Sequence, residues 1–445
     1  MEYPGSHLTK SWRRALLIAC FVLFFVLFPI IVLLAAGYRY DWRNGLLRET
    51  GSISVDIKPT NAKIFLNNIE IKESIPVRLN NITPRKYLIK ITAPGYYDWQ
   101  KEIEVKNKQT TYIKEISLLK NNEPKKIINR SGENLALSVD GRYLAYYYEQ
   151  NIWLYDHNTQ TDKKILKWSE KEIPLLKWSK KQYYLAIAKK TDTTITIIDV
   201  EKQKQWPIIN PDEKNINKYE WQETVEPELV FSTDKKIFVA RPNIQKIIEM
   251  TDNKYLDWTV ENGALWTLQI NSTTNQARIV KDTLGFATDL TTSNPLPENA
   301  SFNNNWTLFA AQGNTALLKK TNSTEMVIVN SDKHFNINGE HALISSNNAW
   351  WLIWTPWELL SFSEGEEPVL LNRSGEQLQQ VWPLDEYNTL ALIWSDKATV
   401  LFPYYDVGHT LINKQINSSV VENKEKVLYF STKRPEKAGI WELEY

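Results

Sequence analysis

From about residue 123 onward, short apolar runs separated by polar turns recur about every 40 residues. The clearest unit contains Ser138–Tyr146, Asn151–Asp156 and Lys163–Leu166 in that order. Thr, Ile, Val, Tyr and Trp dominate the runs, and no segment after residue 50 has the pattern of a long amphipathic helix. The repeat therefore predicts four-stranded β-sheet blades of a β-propeller rather than a helical solenoid.

An internal duplication predicts how this propeller closes. Asn129–Leu135 parallels Asn372–Leu378, and the second copy follows the predicted final strand of a unit, Glu367–Leu371. Residues 124–128 should therefore also form a fourth strand. This strand should pair with the last unit, which has only three strands of its own. Eight units can be traced, so the sequence predicts an eight-bladed propeller over residues 123–445, with seven blades as the alternative count.

The N-terminal region has a different pattern, with no charged residue from Ala15 to Ala36. A helix of this length spans about 30 Å, which matches the hydrocarbon core of a bilayer. Basic residues precede it, at Lys10, Arg13 and Arg14, and aromatic residues follow it, at Tyr38, Tyr40 and Trp42. The pattern predicts a cytoplasmic segment 1–14, a transmembrane helix 15–36, an interfacial aromatic belt, and a linker 37–50.

Two other interpretations of the N-terminal region remain open. Ala35-Ala36-Gly37 has the small residues of a signal-peptide cleavage site, and Leu17-Ile18-Ala19-Cys20 has the form of a bacterial lipobox. The apolar run extends well past Cys20 and is longer than an ordinary signal peptide requires. An uncleaved single-pass anchor in the plasma membrane is therefore preferred, with the bulk of the chain extracytoplasmic.

Residues 51–119 alternate between polar and apolar positions in short runs, which predicts a small antiparallel sheet or sandwich. The segments Pro59–Asn68 and Tyr87–Tyr96 carry a Pro-x-x-Ala motif and a Tyr…Pro-Gly-Tyr run, with Pro76 between them. This combination resembles a PEGA domain, although the family's Pro-Glu-Gly-Ala motif is here Pro59-Thr60-Asn61-Ala62. The resemblance implies a β-sandwich that acts as a stalk or spacer, with no catalytic residue among the motif positions.

Composition excludes several function classes. The formal net charge of +1 is not that of a strongly basic nucleic-acid-binding protein. Cys20 is the single cysteine, so no intramolecular disulfide can form, and the spacing of the five histidines makes no zinc pattern. With 15 glycines and no phosphate-binding loop, zincin helix or nucleophile elbow, the sequence predicts no cofactor, no metal site and no catalytic residue.

Few residues stand out as candidates for function. Asp140 and Asp257 are the carboxylates that a hydrolytic propeller would place near its channel, but Asp140 falls in a turn where Asp is favoured for local reasons. The tryptophans Trp350, Trp351, Trp354 and Trp357 are the candidate partner-binding surface, because exposed aromatic residues anchor protein partners and stack on sugars. Strand alternation would nevertheless place about half of them in the core.

The Ser-x-Asp-Gly-Arg-Tyr-Leu-Ala segment at Ser138–Ala145 resembles TolB-like propellers, and the whole arrangement resembles bacterial PEGA-domain surface proteins. These resemblances imply a membrane-anchored scaffold whose propeller binds a protein or another envelope component without catalysis. The alternative is a propeller-type hydrolase or lyase that acts on surface polysaccharide. The sequence leaves the oligomeric state and the partner open.

Overall fold

The computed structural model describes residues 10–35, 37–41, 46–189, 193–211, 214–223, 226–234, 236–251, 255–270, 277–283, 286–289, 305–330, 333–345, 350–385, 389–433 and 438–445. The chain divides into two compact units, residues 1–122 and residues 123–445. Residues 1–9 of the predicted cytoplasmic segment and Trp42 of the predicted aromatic belt lie outside the described residues.

The first unit begins with one long apolar helix, Lys10–Ala35 (α1). Within Ser11–Ala35, an apolar window of 18 residues has a mean hydropathy of 3.3, and none of that window is buried. By length and composition this helix can cross a membrane, and a signal sequence would have the same properties. The segment after it, predicted as a linker, contains a β-hairpin of Tyr38–Asp41 (β1) and Leu46–Glu49 (β2).

Two further sheets complete the first unit. One contains Gly51–Lys58 (β3), Val77–Ile82 (β6) and Thr110–Ser117 (β9). The other contains Lys63–Leu66 (β4), Ile69–Ile71 (β5), Lys86–Thr92 (β7) and Trp99–Glu104 (β8). The fully buried side chains come from both sheets and include Ile53, Ile64, Ile91, Trp99 and Ile113. One pair departs from the predicted antiparallel pattern, because β3 pairs parallel with β9.

In the second unit, the described strands form eight four-stranded antiparallel sheets. The first four comprise Glu133–Leu137, Tyr143–Tyr148, Asn151–Asp156 and Thr161–Lys167 (β11–β14); Leu175–Trp178, Tyr184–Ala188, Thr194–Asp199 and Lys204–Ile209 (β15–β18); Lys218–Glu223, Pro227–Ser232, Ile237–Arg241 and Lys246–Thr251 (β19–β22); and Asp257–Glu261, Ala264–Ile270, Ala277–Thr283 and Phe286–Asp289 (β23–β26).

The remaining sheets comprise Trp306–Gln312, Thr315–Lys320, Glu325–Val329 and His334–Asn338 (β27–β30); His341–Ile344, Trp351–Trp354, Glu358–Phe362 and Val369–Arg373 (β31–β34); Leu378–Pro383, Leu390–Trp394, Ala398–Phe402 and Val407–Ile412 (β35–β38); and Ser418–Glu422, Val427–Thr432 and Gly439–Glu444 (β39–β41) with Lys125–Ile128 (β10). A short 3₁₀ helix, Pro403–Tyr405, lies between β37 and β38.

Successive sheets pack face to face, and the first strands of neighbouring sheets lie side by side: β11 lies beside β15 and β39, and β23 lies beside β19 and β27. We call these first strands the inner strands. Apolar residues fill the spaces between sheets, for example Leu154 with Leu185 and Leu318 with Trp266. The second and third strands have continuous apolar runs, because a neighbouring sheet covers each face of the sheet to which they belong. The second unit is therefore propeller-like.

Strand β10, from the start of the second unit, belongs to the eighth sheet, and this sheet packs against the first sheet; we call the β10–β41 pairing and this packing together the closure seam. Strand β10 pairs antiparallel with β41, with Ile128 opposite Ile440. The Leu135 amide donates to the Ser418 hydroxyl at 3.0 Å, and Lys125 lies 3.3 Å from Glu442. Ile128, Leu135, Tyr146, Tyr429 and Ile440 form the apolar core of the seam. Strand β10 thus completes the sheet of the C-terminal strands.

Candidate binding site

The inner strands have backbone groups on their exposed edges, and side chains from neighbouring sheets satisfy several of them. The indole N–H of Trp178 donates to the Ala136 carbonyl at 3.0 Å, and that of Trp221 donates to the Lys177 carbonyl at 2.9 Å. In each case the tryptophan reaches from one sheet to the sheet before it. Trp178 and Trp221 therefore join adjacent sheets.

Lys218, on the third sheet, is the centre of a charged network on the inner strands. Its ammonium group lies 3.4 Å from Glu220 and 3.5 Å from Asp257. It also donates to the carbonyl oxygens of Trp258 and Leu308, the latter at 3.1 Å. One lysine thus connects the inner strands of the third, fourth and fifth sheets.

The two carboxylates of this network accept hydrogen bonds from backbone amides of the next sheet. The Asp257 Oδ2 atom accepts from the Leu308 amide at 2.8 Å, and the Glu220 Oε2 atom accepts from the Val260 amide at 3.1 Å. Burial raises the pKa of Asp257, although Lys218 and the backbone donors act in the opposite direction. The sequence marks Asp257 as a candidate, but its bonds to an adjacent sheet are those of a structural residue.

Asp140 lies in the turn between β11 and β12, on the first sheet. It accepts hydrogen bonds from the Ser138 hydroxyl at 2.8 Å, the Arg142 amide at 3.2 Å and the Tyr183 hydroxyl. Partial burial acts to raise the pKa of Asp140, but the bonds from Tyr183 and Ser138 outweigh it and hold the pKa below its usual value. Asp140 thus stabilises a turn, as the sequence indicates.

The four tryptophans of the predicted partner-binding surface do not form one exposed surface. Trp350, Trp351 and Trp354 are only 4–6% exposed, whereas Trp357 is 47% exposed. Trp350 and Trp354 pack toward Leu378 and Leu392 of the seventh sheet. The expectation of a joint surface is wrong for three of the four, because β32 has a neighbouring sheet on both faces.

The remaining two members of this cluster have opposite environments. Trp351 points to the other face of β32 and packs with Leu317 and Ile328 of the fifth sheet. Trp357 lies in the turn before β33, where its amide donates to the Thr355 hydroxyl at 3.2 Å. Trp357 is the member of the four that a partner can reach.

A cavity of 460 Å³ lies where inner strands β11, β35 and β39 begin. Amide side chains dominate its wall, together with hydroxyl groups, one ion pair and two isoleucines: Asn134, Gln379, Gln380, Gln415, Asn417, Ser395, Ser418, the Glu133–Lys433 pair, Ile173 and Ile416. None of these eleven residues is aromatic. The sequence gives little signal for this site, because its residues come from four sheets and do not share a position in the repeat.

Part of the cavity wall is held in place by hydrogen bonds. Gln380 accepts from the Ser419 hydroxyl at 2.6 Å, and Ser419 accepts from the Trp382 indole at 3.0 Å. Asn134 donates to the Pro174 carbonyl at 2.5 Å. The exposed amides of Gln379, Gln415 and Asn417 complete the wall. Since an amide carries a donor and an acceptor, the cavity can bind an uncharged polar ligand.

For metal binding, the described part of the chain contains no group of three His, Cys, Asp or Glu residues placed to hold an ion. Histidines in the second unit instead pack against aromatic rings. His157 contacts Tyr155 and Tyr429 with ring centroids 4.8 and 4.9 Å apart, and His341 stacks on Trp354 at 5.3 Å. These histidines thus belong to the packing of the sheets.

The chain is a mainly β protein with a propeller-like second unit and an apolar N-terminal helix. Residues 50–118 match the PEGA domain family, and this match agrees with the resemblance found in the sequence. Among curated proteins, none matches this chain.

Three solved structures illustrate what the chain is similar to. The beta-propeller domain of Myceliophteria thermophila Cps50 (Swd1) is 10% identical, with 73% of this chain and 98% of that chain covered and a TM-score of 0.43. Porphyromonas gingivalis dipeptidyl peptidase 4 is 7% identical over 71% of this chain and 58% of that chain, with a TM-score of 0.48. A eukaryotic initiation factor is 10% identical, with coverages of 74% and 91% and a TM-score of 0.48.

Proposed function

We propose that this protein is an extracytoplasmic scaffold that its N-terminal helix anchors in the plasma membrane. The two sheets after the helix form a PEGA-type sandwich that serves as a stalk. The eight four-stranded sheets form an eight-bladed propeller that binds a protein partner and catalyses no reaction. The amide-lined cavity where β11, β35 and β39 begin is the observation that carries this proposal.

The chemistry of the cavity favours a polypeptide as the bound group. Side-chain amides such as those of Gln379 and Asn417 can pair with the N–H and C=O groups of an extended peptide. A sugar would usually also stack on an aromatic ring, and none of the eleven described residues that line the cavity is aromatic. The proposed partner is therefore a protein that inserts an uncharged, extended segment.

Site-specific photo-crosslinking in intact cells tests this proposal. A photoreactive phenylalanine derivative would replace Gln379 or Gln415 in the cavity, with Val369 on the outer strand β34 as the control position, since its side chain is 54% exposed. The expected result is one crosslinked product of defined mass from both cavity positions and none from Val369. Absence of a product from the cavity positions, or equal products from all three, would contradict the proposed site.

Hydrolysis or cleavage of a surface polysaccharide is the second candidate function, and the raised pKa of Asp257 is the observation that favours it. Asp257 would then act as a general acid near Lys218 and Glu220. Purified full-length protein should release oligosaccharides from envelope polysaccharide, and Asp257→Asn should abolish that release. The hydrogen bonds of Asp257 to the fifth sheet favour the scaffold instead.

Membrane anchoring and orientation are tested separately. Carbonate extraction of membranes should leave the protein in the pellet, and protease added outside intact cells should digest residues after 50. The intact mass of the mature protein distinguishes an uncleaved anchor from cleavage near Ala35. Full protection from external protease would contradict the proposed orientation.

A further inference from the structure

The hairpin β1–β2 follows the apolar helix with almost no intervening chain. Helix α1 ends at Ala35, and β1 begins at Tyr38. Gly37 adopts a φ of +83° and donates to the Leu34 carbonyl at 3.2 Å, so the chain turns immediately after the helix. The hairpin must therefore lie close to the end of the helix.

The base of this hairpin is fixed to the turn that precedes β9. The Thr50 amide and hydroxyl donate to the Gly37 carbonyl at 3.0 and 3.1 Å, and the Lys108 amide donates to the Thr50 carbonyl at 2.9 Å. A Cβ atom on Gly51 would be 2.4 Å from the Lys106 carbonyl oxygen, so the backbones approach closely here. The hairpin is thus part of the folded first unit.

A polar cluster at the base joins the two strands to the same turn. Glu49 accepts from the Tyr38 hydroxyl at 2.7 Å and from Asn107 at 2.6 Å, and it pairs with Lys108 at 2.9 Å. The Lys108 ammonium group also lies 4.6 Å from the centre of the Tyr38 ring. Tyr38, predicted to belong to an interfacial belt, instead belongs to this joint.

Tyr40 and Leu47 form the pair of the hairpin that lies two residues beyond the Tyr38–Glu49 pair, and they are directly opposite each other. Since side chains two residues apart in a strand share a face, they lie on the same face as Tyr38 and Glu49. Tyr40 is 48% exposed and Leu47 is 52% exposed. The hairpin therefore presents an aromatic and an aliphatic side chain together, beyond the joint.

We propose that the face formed by Tyr40 and Leu47 lies in the headgroup region of the membrane that holds α1 and thereby fixes the orientation of the PEGA-type domain on that membrane. This inference rests on the proposed membrane anchoring. Tyr40 is five residues beyond the end of α1 and so at most about 18 Å from it, and the turn at Gly37 shortens that distance. Tyrosine is enriched at this depth because its ring is apolar and its hydroxyl is polar.

Depth-dependent fluorescence quenching of the full chain in lipid nanodiscs tests this inference. Cys20→Ser removes the native thiol, and Leu47→Cys introduces a site for an environment-sensitive nitrobenzoxadiazole label. The control is Asn61→Cys, which is exposed and lies beyond the far end of β3, about 23 Å from its start. Phosphatidylcholine and phosphatidylglycerol discs would carry lipids spin-labelled near the headgroup.

The expected result is at least a two-fold greater quenching at position 47 than at position 61, with a blue-shifted emission at position 47. Equal quenching at the two positions would overturn the inference. A label at position 47 that is shielded from aqueous iodide without being quenched by the lipids would overturn it as well, because a protein surface would then cover the face. A second labelled variant, Tyr40→Cys, should behave like Leu47→Cys.

Failure of this inference is distinguishable from failure of the anchor. If carbonate extraction releases the protein from native membranes, the anchoring proposal fails, and this inference fails with it. If the protein stays in the membrane pellet while position 47 is not quenched, only the contact between the hairpin and the lipid is wrong. The scaffold function would then remain unaffected.

Discussion

Gly439 lies so close to Ile128 that a Cβ atom on residue 439 would be only 2.6 Å from the Ile128 carbonyl oxygen. Gly439 also has a φ of +150°, a conformation that other residues rarely adopt. These two residues join β41 to β10, which are far apart in the chain. A close backbone contact at one glycine therefore completes the sheet at the closure seam.

Replacing this glycine should weaken the seam. We expect Gly439→Ala to lower the free energy of unfolding of the second unit by roughly 2–4 kcal/mol, since the backbone must move and the φ value is strained. Urea denaturation followed by tryptophan fluorescence measures the change. Gly375→Ala is the matched control, because a Cβ atom there would meet nothing within 4 Å, and it should change the free energy by less than about 0.5 kcal/mol.

The closure seam should also lose stability at acidic pH. Burial lowers the pKa of His157, even though Glu442 and Asp156 act to raise it. The folded state therefore keeps His157 neutral, whereas the unfolded chain takes up a proton as the pH falls through about 6.5. The free energy of unfolding is expected to decrease from about pH 7 downward until the pH passes below the folded pKa.

His157→Phe keeps a ring between Tyr155 and Tyr429 and removes this titration. Urea midpoints measured from pH 7.5 to 5 should depend less on pH in this variant than in the native chain. His334→Phe is the control, since it makes the same substitution at an exposed histidine. An equal effect of both substitutions would argue against a specific role of His157.

Removing the charge of Asp257 should destabilise the inner strands. In Asp257→Asn the side chain keeps one acceptor oxygen, so the amide of Leu308 or Trp258 loses its partner, and Lys218 keeps only Glu220 as a counter-ion. The expected loss is about 1–3 kcal/mol. Glu249→Gln breaks the more exposed pair with Lys236 and should cost less than about 1 kcal/mol by the same denaturation measurement.

The inter-sheet bond of Trp221 gives a third stability prediction. Trp221→Phe keeps most of the buried ring but removes the indole donor, leaving the Lys177 carbonyl without this bond. We expect a loss of about 1–2 kcal/mol in the free energy of unfolding. Trp357→Phe makes the same change at an exposed position and should stay within about 0.5 kcal/mol. Similar losses in the two variants would contradict the structural role of Trp221.

The repeat pattern carried most of the information about the second unit. The strands and turns of each unit depend on residues that are near each other in the chain. The second copy of the duplicated segment, at Asn372, follows the predicted last strand of a unit. By analogy, the strand before Asn129 should also lie at the edge of a sheet. That strand is β10, and its pairing with β41 depends only on the repeat. The partner of the Trp221 indole, the Lys177 carbonyl, could not be predicted from the repeat.

Features that depend on contacts across several sheets could not be predicted from the sequence. The reach of Lys218 to Leu308 crosses two sheet boundaries, and no local spacing encodes it. The cluster around Trp350 was ambiguous, because alternation along a strand gives two faces without saying that both are covered. The hairpin at Tyr38 was hidden for another reason, since its stabilising partner, Lys108, lies 70 residues away.

The position of β10 also dictates an order of events during synthesis. The Lys126 side chain donates to the Ala438 carbonyl, 312 residues later. A chain synthesised amino end first therefore contains β10 long before its partner strand β41 has been made. A product that stops before residue 439 would lack β41, so the edge of β10 would stay open to aggregation or proteolysis.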